Sequence, residues 1–142
     1  KREQILTVAR EFGFGDKLGI EIPGERSGIM PTDEFLKNRD LRWYPGDTIN
    51  FSVGQGFTAV TPLQMAHYAC VLANGGYAFK PRLLKAIESS ESPDNERVEQ
   101  SEKDSHVQLD TLWWERIRRS MKSVVETGTG RRARIEGVEG AG

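Results

Sequence analysis

Apolar residues recur at helical spacing in three stretches of this 142-residue chain, around residues 4–12, 62–73 and 110–126. The first stretch is followed by Gly13, a residue type that commonly ends helices in the left-handed conformation. Turn-forming residues dominate the segment 13–50, where Leu18 to Ile22 alternates as a short strand would. The pattern there predicts a long ordered loop over the surface, and such loops are often functional.

The second helix carries its own start and stop signals. Thr61-Pro62-Leu63-Gln64 is a capping box, in which the Thr61 hydroxyl accepts from the Gln64 amide and the Gln64 side chain returns to the Thr61 amide. Pro62 falls at the first helical position, where its missing N–H costs nothing. Asn74-Gly75-Gly76 ends the helix. Small residues predict close packing against a neighbour: Ala66, Ala69 and Ala73.

The last third of the chain alternates between structured and polar segments. Residues 77–87 predict a strand, with Pro81 favouring an edge or a bend. Residues 88–106 are rich in Glu, Ser, Asp and Lys and predict a flexible excursion. A third helix follows, capped by Asp110 or Thr111, and its apolar face comprises Leu112, Trp113, Ile117, Met121, Val124 and Val125.

Composition excludes several function classes. Apolar residues make up 37% and charged residues 29%, which is ordinary for a globular chain. The net charge of −1 gives no indication of nucleic-acid or anionic-membrane binding. No apolar run reaches the roughly 18 residues of a membrane span, and no signal peptide is predicted. The single cysteine excludes an internal disulfide.

Motifs of the chain resemble those of a known family. Residues 47–56 read DTINFSVGQG and residues 60–66 read VTPLQMA. This pair resembles a signature stretch of class B penicillin-binding protein transpeptidase domains. Three further blocks agree in order and spacing: EFGFG (11–15) through IEIPGE (20–25), ANGG (73–76) with KPRL (80–83), and VETGTG (125–130) with GAG (140–142).

The order of the blocks makes the resemblance specific, although GQG or TPLQ alone would be weak. It covers nearly the whole chain, which is interpreted as a partial transpeptidase domain over residues 1–142 with a flexible acidic insert at about 88–108. The sequence WYPGD at residues 43–47 most resembles that of the elongation type, which is penicillin-binding protein 2-like and serves the side wall of rod-shaped cells.

The resemblance implies an α+β chain, part of the penicillin-binding/β-lactamase-like transpeptidase fold, with an antiparallel sheet flanked by helices. It implies a peptidoglycan D,D-transpeptidase that uses a serine acyl-enzyme and no cofactor. The implied partners are peptidoglycan stem peptides and β-lactams, which bind the complete domain, and a membrane glycan polymerase; nucleic acid is not among them. The implied location is the outer face of the cytoplasmic membrane, held there by an anchor outside this sequence.

The family's catalysis needs three motifs, and the 142 residues contain none of them. A Ser-x-x-Lys turn places a base one helical turn from the serine nucleophile, a Ser-x-Asn loop assists proton transfer, and a Lys-Thr-Gly strand holds the substrate carboxylate. Glu126-Thr127-Gly128 resembles the third motif only superficially, because a glutamate would repel that carboxylate. The chain is therefore predicted to be the interval between the Ser-x-Asn and Lys-Thr-Gly motifs, with no catalytic residue and no activity of its own.

Two glycine-rich turns are the candidate site residues, and each has a structural alternative. The first is Gly54, Gln55 and Gly56, which is either a cleft-proximal turn or a purely structural one, with the Gln55 amide able to tie loops together. The second is Thr127, Gly128, Thr129 and Gly130, which is either a ligand cradle or a helix stop.

Other chemistry-bearing residues favour structural interpretations. His67 and His106 lack a second ligand at metal spacing, so no metal site is predicted. Arg131 to Arg134 is interpreted as a solvated basic cluster, with anion contact as the alternative. Cys70 is predicted to be an inert buried thiol. Trp113 and Trp114 are predicted to split between the core and a partly covered surface.

Two functions from different classes remain. The chain is part of a D,D-transpeptidase, or it is a non-catalytic penicillin-binding-like scaffold or sensor module that keeps the fold for protein contacts. An unrelated domain that shares these motifs by chance is disfavoured, because the ordered blocks agree with independent capping and turn signals.

Overall fold

The computed structural model describes residues 1–89, 92–98, 103–138 and 140. Across these residues the chain forms five α-helices, four β-strands and one 3-10 helix. The helices are α1 (Arg2–Glu11), α2 (Asp33–Asn38), α3 (Pro45–Ser52), α4 (Pro62–Ala73) and α5 (Thr111–Glu126), with the 3-10 helix at Thr129–Ala133. None of the described helices is long and apolar enough to cross a membrane.

The strands form two antiparallel ladders that are nested in sequence. β1 (Tyr77–Phe79) pairs with β4 (Lys103–His106), and β2 (Ala86–Ser89) pairs with β3 (Ser92–Val98). The outer ladder encloses the inner one, so the four strands follow one long hairpin path. The mixed composition of helices and antiparallel sheet confirms the predicted α+β class.

The hairpin changes the interpretation of two predicted segments. The strand predicted over 77–87 is interrupted at 80–85, around Pro81. The described parts of the polar segment 88–106 form the end of β2 and the strands β3 and β4, although its composition predicted a flexible excursion. Local composition missed β4 because its hydrogen-bond partner is the distant strand β1. It missed β3, which follows its partner β2 after two residues, because this segment has almost no apolar residues to show a strand period. The flexibility of the insert stays a prediction, and residues 90, 91 and 99–102 lie outside the described part of the chain.

The predicted strand from Leu18 to Ile22 is wrong. The amides of Leu18 and Gly19 donate to the two carboxylate oxygens of Glu25, at 2.6 and 3.0 Å. These amides are therefore occupied by a side chain rather than by a neighbouring strand, and the segment is an irregular loop.

Two short helices interrupt the region predicted as one long loop. α2 is capped by the Thr32 hydroxyl, which accepts from the Phe35 amide at 3.1 Å. α3 begins at Pro45, and the Asp47 carboxylate accepts from the Tyr44 amide at 2.8 Å. The residue types of both caps are visible in the sequence. The helices were not predicted because six and eight residues are too few to show a clear helical period of apolar residues.

Two apolar clusters hold the helices together. The first joins the end of α1, the C-terminal turn of α4, the β1–β4 ladder and the start of α5, through Phe12, Val71, Leu72, Ala78, Val107 and Trp114. The second joins α1 to α3 and the preceding loops through Leu6, Met30 and Phe51. Phe14 packs against both clusters, so the residue after the α1 stop links the two halves of the core.

α5 presents a different tryptophan to the core than the predicted apolar face did. Trp114 is buried, whereas Trp113 is 53% exposed, so one ring lies in the core and one at the surface, as predicted. The predicted apolar face was wrong because it included Trp113 instead of Trp114. Gly76 explains the choice, because a Cβ at that position would lie 2.6 Å from the Trp114 ring. The absent side chain leaves the space that the Trp114 ring occupies.

The prediction that Cys70 is buried is wrong. α4 packs through Gln64, His67, Val71 and Leu72, while Cys70 lies on the opposite, exposed face. The small residues of that face, Ala66, Ala69 and Ala73, are exposed too, and no described element covers them. The apolar character of α4 therefore did not show which face the described chain would cover.

Candidate functional site

The turn at Gly54, Gln55 and Gly56 is the C-terminal stop of α3. The Gly54 amide donates to the Phe51 carbonyl at 3.0 Å and the Gln55 amide donates to the Asn50 carbonyl at 2.9 Å. With Gly54 at φ +75°, this pair of bonds is a Schellman motif. The structural role of the turn is therefore defined by hydrogen bonds, whereas its place beside a cleft stays a prediction.

The turn from Thr127 to Gly130 uses glycine for a different reason. The Thr127 and Gly128 amides both donate to the Ser123 carbonyl, at 2.9 and 3.0 Å. Gly128 does not adopt the left-handed conformation; its φ is −95°. A Cβ on Gly128 would instead lie 3.0 Å from the Cα and the carbonyl oxygen of Val124. The glycine lets the chain fold back closely over the last turn of α5 before the 3-10 helix that includes Thr129 and Gly130.

The described contacts do not join the two turns. The first follows Phe51, which belongs to the second apolar cluster, and the second follows α5, whose Trp114 belongs to the first cluster. The seven candidate residues are exposed, apart from the half-buried Gly130. Within the described chain they therefore form two separate surface turns, and whether either faces substrate stays a prediction.

The residue that ties loops together is Gln64, not Gln55. The Gln64 side chain is 1% exposed, and its amide nitrogen donates to the carbonyls of Asp16 and Ser27, both at 3.0 Å. Its side-chain oxygen accepts from the Thr61 amide at 2.9 Å, and the Thr61 hydroxyl accepts from the Gln64 amide at 3.1 Å. The capping box is confirmed, and the same side chain also fixes two distant loops onto α4.

Only the local half of this arrangement could be predicted from the sequence. Gln64 at the third helical position indicated a cap. No spacing rule connects it to carbonyls that lie 48 and 37 residues earlier. Gly28 was the one available signal, since a Cβ there would lie 2.5 Å from the Ala59 carbonyl oxygen and 2.9 Å from the Gln64 side-chain oxygen.

His67 lies three residues further along α4 than Gln64 and is also buried. Its ring packs against Gly13, where a Cβ would come within 3.0 Å of the imidazole. Burial lowers the pKa of His67 below its ordinary value, and the negative charge of Asp104 opposes that shift. The neutral ring is thus favoured under the loop that follows α1. Within the described residues, no group of three or more His, Cys, Asp or Glu side chains could hold a metal ion.

An open apolar groove separates α1 from α3. Its volume is about 1090 Å³, and its lining includes Ile5, Val8, Phe12, Ile49 and Tyr68. Ile49 is 70% exposed and Val8 is 51% exposed. The exposed side chains of this lining, Val8 and Ile49 among them, form an apolar surface that the described chain leaves in contact with solvent.

Comparison with known proteins identifies the family. The model of the penicillin binding protein transpeptidase domain matches residues 2–142. The chain belongs to the penicillin-binding protein transpeptidase domain family. The resemblance read from the ordered sequence blocks is confirmed.

Two curated relatives of the chain share one name. The chain is 38% identical over 139 residues to the peptidoglycan D,D-transpeptidase MrdA of Haemophilus influenzae, and 35% identical over 130 residues to that of Acinetobacter baumannii. These matches cover 92% and 91% of the chain but only 20% and 19% of the relatives. The chain therefore spans about a fifth of the length of the curated relatives it matches.

Solved structures confirm the fold. Penicillin binding protein 3 from Mycobacterium tuberculosis, complexed with aztreonam, superposes with a TM-score of 0.73 at 26% identity, covering 94% of this chain and 29% of that one. Pseudomonas aeruginosa PBP2 in complex with WCK 5153 gives 0.68 at 34% identity, covering 87% and 28%. A peptidoglycan synthase complex described as coordinating polymerization and crosslinking gives 0.64 at 31% identity, covering 87% and 19%.

Proposed function

We propose that this chain is a segment of a peptidoglycan D,D-transpeptidase that cross-links stem peptides in cell-wall synthesis through a serine acyl-enzyme. The observation that carries the proposal is the similarity to two MrdA D,D-transpeptidases over more than nine-tenths of the chain. The sequence at residues 43–47, which resembles that of elongation-type transpeptidases, supports the same assignment.

The role of this segment is to build a scaffold. Gln64 and Glu25 hold the loop between α1 and α2 against α4, and the two apolar clusters hold the helices around that loop. None of the three catalytic motifs occurs in the 142 residues. The chain by itself is therefore inactive, and the nucleophile, base and carboxylate-binding residues belong to the complete enzyme.

The complete enzyme binds β-lactams, because these drugs mimic the acyl donor that a transpeptidase attacks. It works with a membrane glycan polymerase at the outer face of the cytoplasmic membrane. A β-lactam complex and a polymerization–crosslinking complex among the similar structures support these two proposals.

Labelling with a fluorescent penicillin tests the proposal. The complete protein encoded by the gene should acquire a covalent label that survives denaturation, and replacing its predicted Ser-x-x-Lys serine with alanine should abolish the label. The isolated 142-residue chain should stay unlabelled in both native and refolded samples.

The result also separates the enzyme from the alternative. A complete protein that folds, yet takes no label and lacks the three motifs, would be a non-catalytic scaffold or sensor. A covalent adduct on the isolated chain would contradict the assignment of all catalytic residues to other parts of the enzyme.

A further inference from the structure

A second concave site lies between α1, the loop after it, α4 and the β1–β4 ladder. Its volume is about 410 Å³, within the range of roughly 300–1,000 Å³ that is common for small-molecule sites. None of the residues of the two glycine turns lines it. The proposed transpeptidase function does not depend on this cavity.

The floor of the cavity is the imidazole of His67. His67 is 8% exposed and lines the cavity. In the described part of the chain its ring nitrogens take part in no hydrogen bond. A neutral imidazole offers one donor and one acceptor, which a molecule in the cavity can engage.

The rim carries balanced charges that do not neutralise one another. Three cations and three anions line the cavity: Arg10, Lys17, Lys80, Glu11, Asp16 and Asp104. No ion pair joins any two of them in the described residues. A lone anion would meet three carboxylates and a lone cation would meet three cations, so charge complementarity favours a ligand that carries both signs.

The rim is also held in place before any ligand arrives. The carbonyl of Asp16 accepts from Gln64, and the amides of Leu18 and Gly19 donate to Glu25. Lys80 packs across Gly19, where a Cβ would lie 3.2 Å from the lysine Cε. A loop fixed in this way loses little conformational freedom when a ligand binds.

We propose that this cavity binds a compact zwitterion, a small molecule or peptide end that carries a free ammonium group and a free carboxylate. The carboxylate lies toward Lys80 and Lys17, the ammonium lies toward Asp104 and Asp16, and His67 completes the hydrogen bonding from below.

Histidine resonances give a direct test, because the chain has two histidines. The 142-residue chain, with labelled histidine, is titrated with glycylglycine as the zwitterionic probe. N-acetylglycine and glycinamide carry only one of its two charges and serve as matched controls. We expect saturable shifts of the His67 ring signals with glycylglycine, at least fivefold weaker binding of either control, and no shift of His106, which stacks on Tyr77.

Two charge-removing variants, Lys80→Gln and Asp104→Asn, test the rim. Each should weaken glycylglycine binding about tenfold, which corresponds to the loss of about 1.4 kcal/mol, close to the contribution of a well-formed hydrogen bond to a charged group. Lys85→Gln and Glu34→Gln remove exposed charges that do not line the cavity and should leave binding unchanged.

Three results would overturn the proposal. One is the absence of a saturable His67 shift at concentrations up to about 50 mM, far above a Kd of about 1 mM. Another is equal affinity for the three probes, which would indicate charge screening alone. The third is unchanged binding in both rim variants while their far-ultraviolet spectra show an intact fold.

Discussion

Gln64 offers the sharpest test of how this fold is held together. Replacing it by leucine, in Gln64→Leu, keeps a side chain of similar size in a site that is 1% exposed. The change removes the acceptor for the Thr61 amide and the donor for the carbonyls of Asp16 and Ser27. Three backbone groups from three parts of the chain thus lose their partner at once.

The expected loss of unfolding free energy can be estimated from those three backbone groups. A buried polar group left without a partner costs about 1–3 kcal/mol, and loss of a helix cap alone costs about 1 kcal/mol. The extra apolar burial of leucine offsets about 1–2 kcal/mol. Three such groups together cost about 3–9 kcal/mol, so we expect Gln64→Leu to lower the free energy of unfolding by about 1–8 kcal/mol, a large share of the stability of a small domain.

Urea unfolding followed by tryptophan fluorescence and circular dichroism measures this difference. Gln55→Leu is the matched control, because Gln55 is exposed and its side chain makes no hydrogen bond in the described structure. The control should change stability by less than about 0.5 kcal/mol. If Gln64→Leu proved as mild as Gln55→Leu, the view that this side chain joins the loops to α4 would be wrong.

Three further predictions concern other features. Gly54→Ala should cost about 1 kcal/mol because φ is +75° there, whereas Gly46→Ala, inside α3 with open space around it, should be neutral or stabilising; equal effects in thermal melts would contradict this. The depressed pKa of His67 means that the unfolded chain binds more protons, so stability should be complete above about pH 7.5 and fall as the pH drops through about 6.5. His67→Gln should flatten that dependence in pH-resolved urea titrations, and an unchanged slope would refute it. Ile49→Lys, in the apolar groove, should reduce binding of a hydrophobic dye and self-association, whereas Lys37→Arg on exposed α2 should not; equal dye binding by both variants would contradict the role of the groove.

Local signals in the sequence predicted a large part of the helical structure. Gly13 at φ +84° ends α1 with the Schellman hydrogen bonds from Gly13 to Arg10 and from Phe14 to Ala9. The Asp110 carboxylate caps α5 by accepting from the Leu112 amide at 2.9 Å. These signals succeeded because each one acts within about five residues, where the order of residue types already determines the geometry.

The errors lie where long-range contacts decided the outcome. The composition of the polar segment 88–106 did not predict β4, which pairs with β1. The alternation from Leu18 to Ile22 suggested a strand, but Glu25 accepts from the amides that a strand would need. In both segments the hydrogen-bond partner, rather than the local pattern, selected the backbone conformation.

The two glycine-rich candidate turns also show the difference between local sequence signals and tertiary packing. From the sequence, the turn from Thr127 to Gly130 could be interpreted as a helix stop, whereas the turn at Gly54, Gln55 and Gly56 was interpreted only as a structural or cleft-proximal turn. The reason for each glycine depended on its surroundings. Gly54 is needed for its positive φ, whereas Gly128 is needed because the backbone of Val124 lies where a Cβ would be. Only the second reason is a property of packing.

The sequence by itself determined the family, the positions of the three long helices and the capping chemistry of α4. Only the tertiary structure decided which face of α4 is covered, which tryptophan enters the core, and that Gln64 joins carbonyls 48 and 37 residues away to the start of its own helix. The physical reason is the separation along the chain between the groups that interact. Caps and turns are interactions between near neighbours in the chain, whereas burial and polar satisfaction depend on groups that come together only when the chain folds.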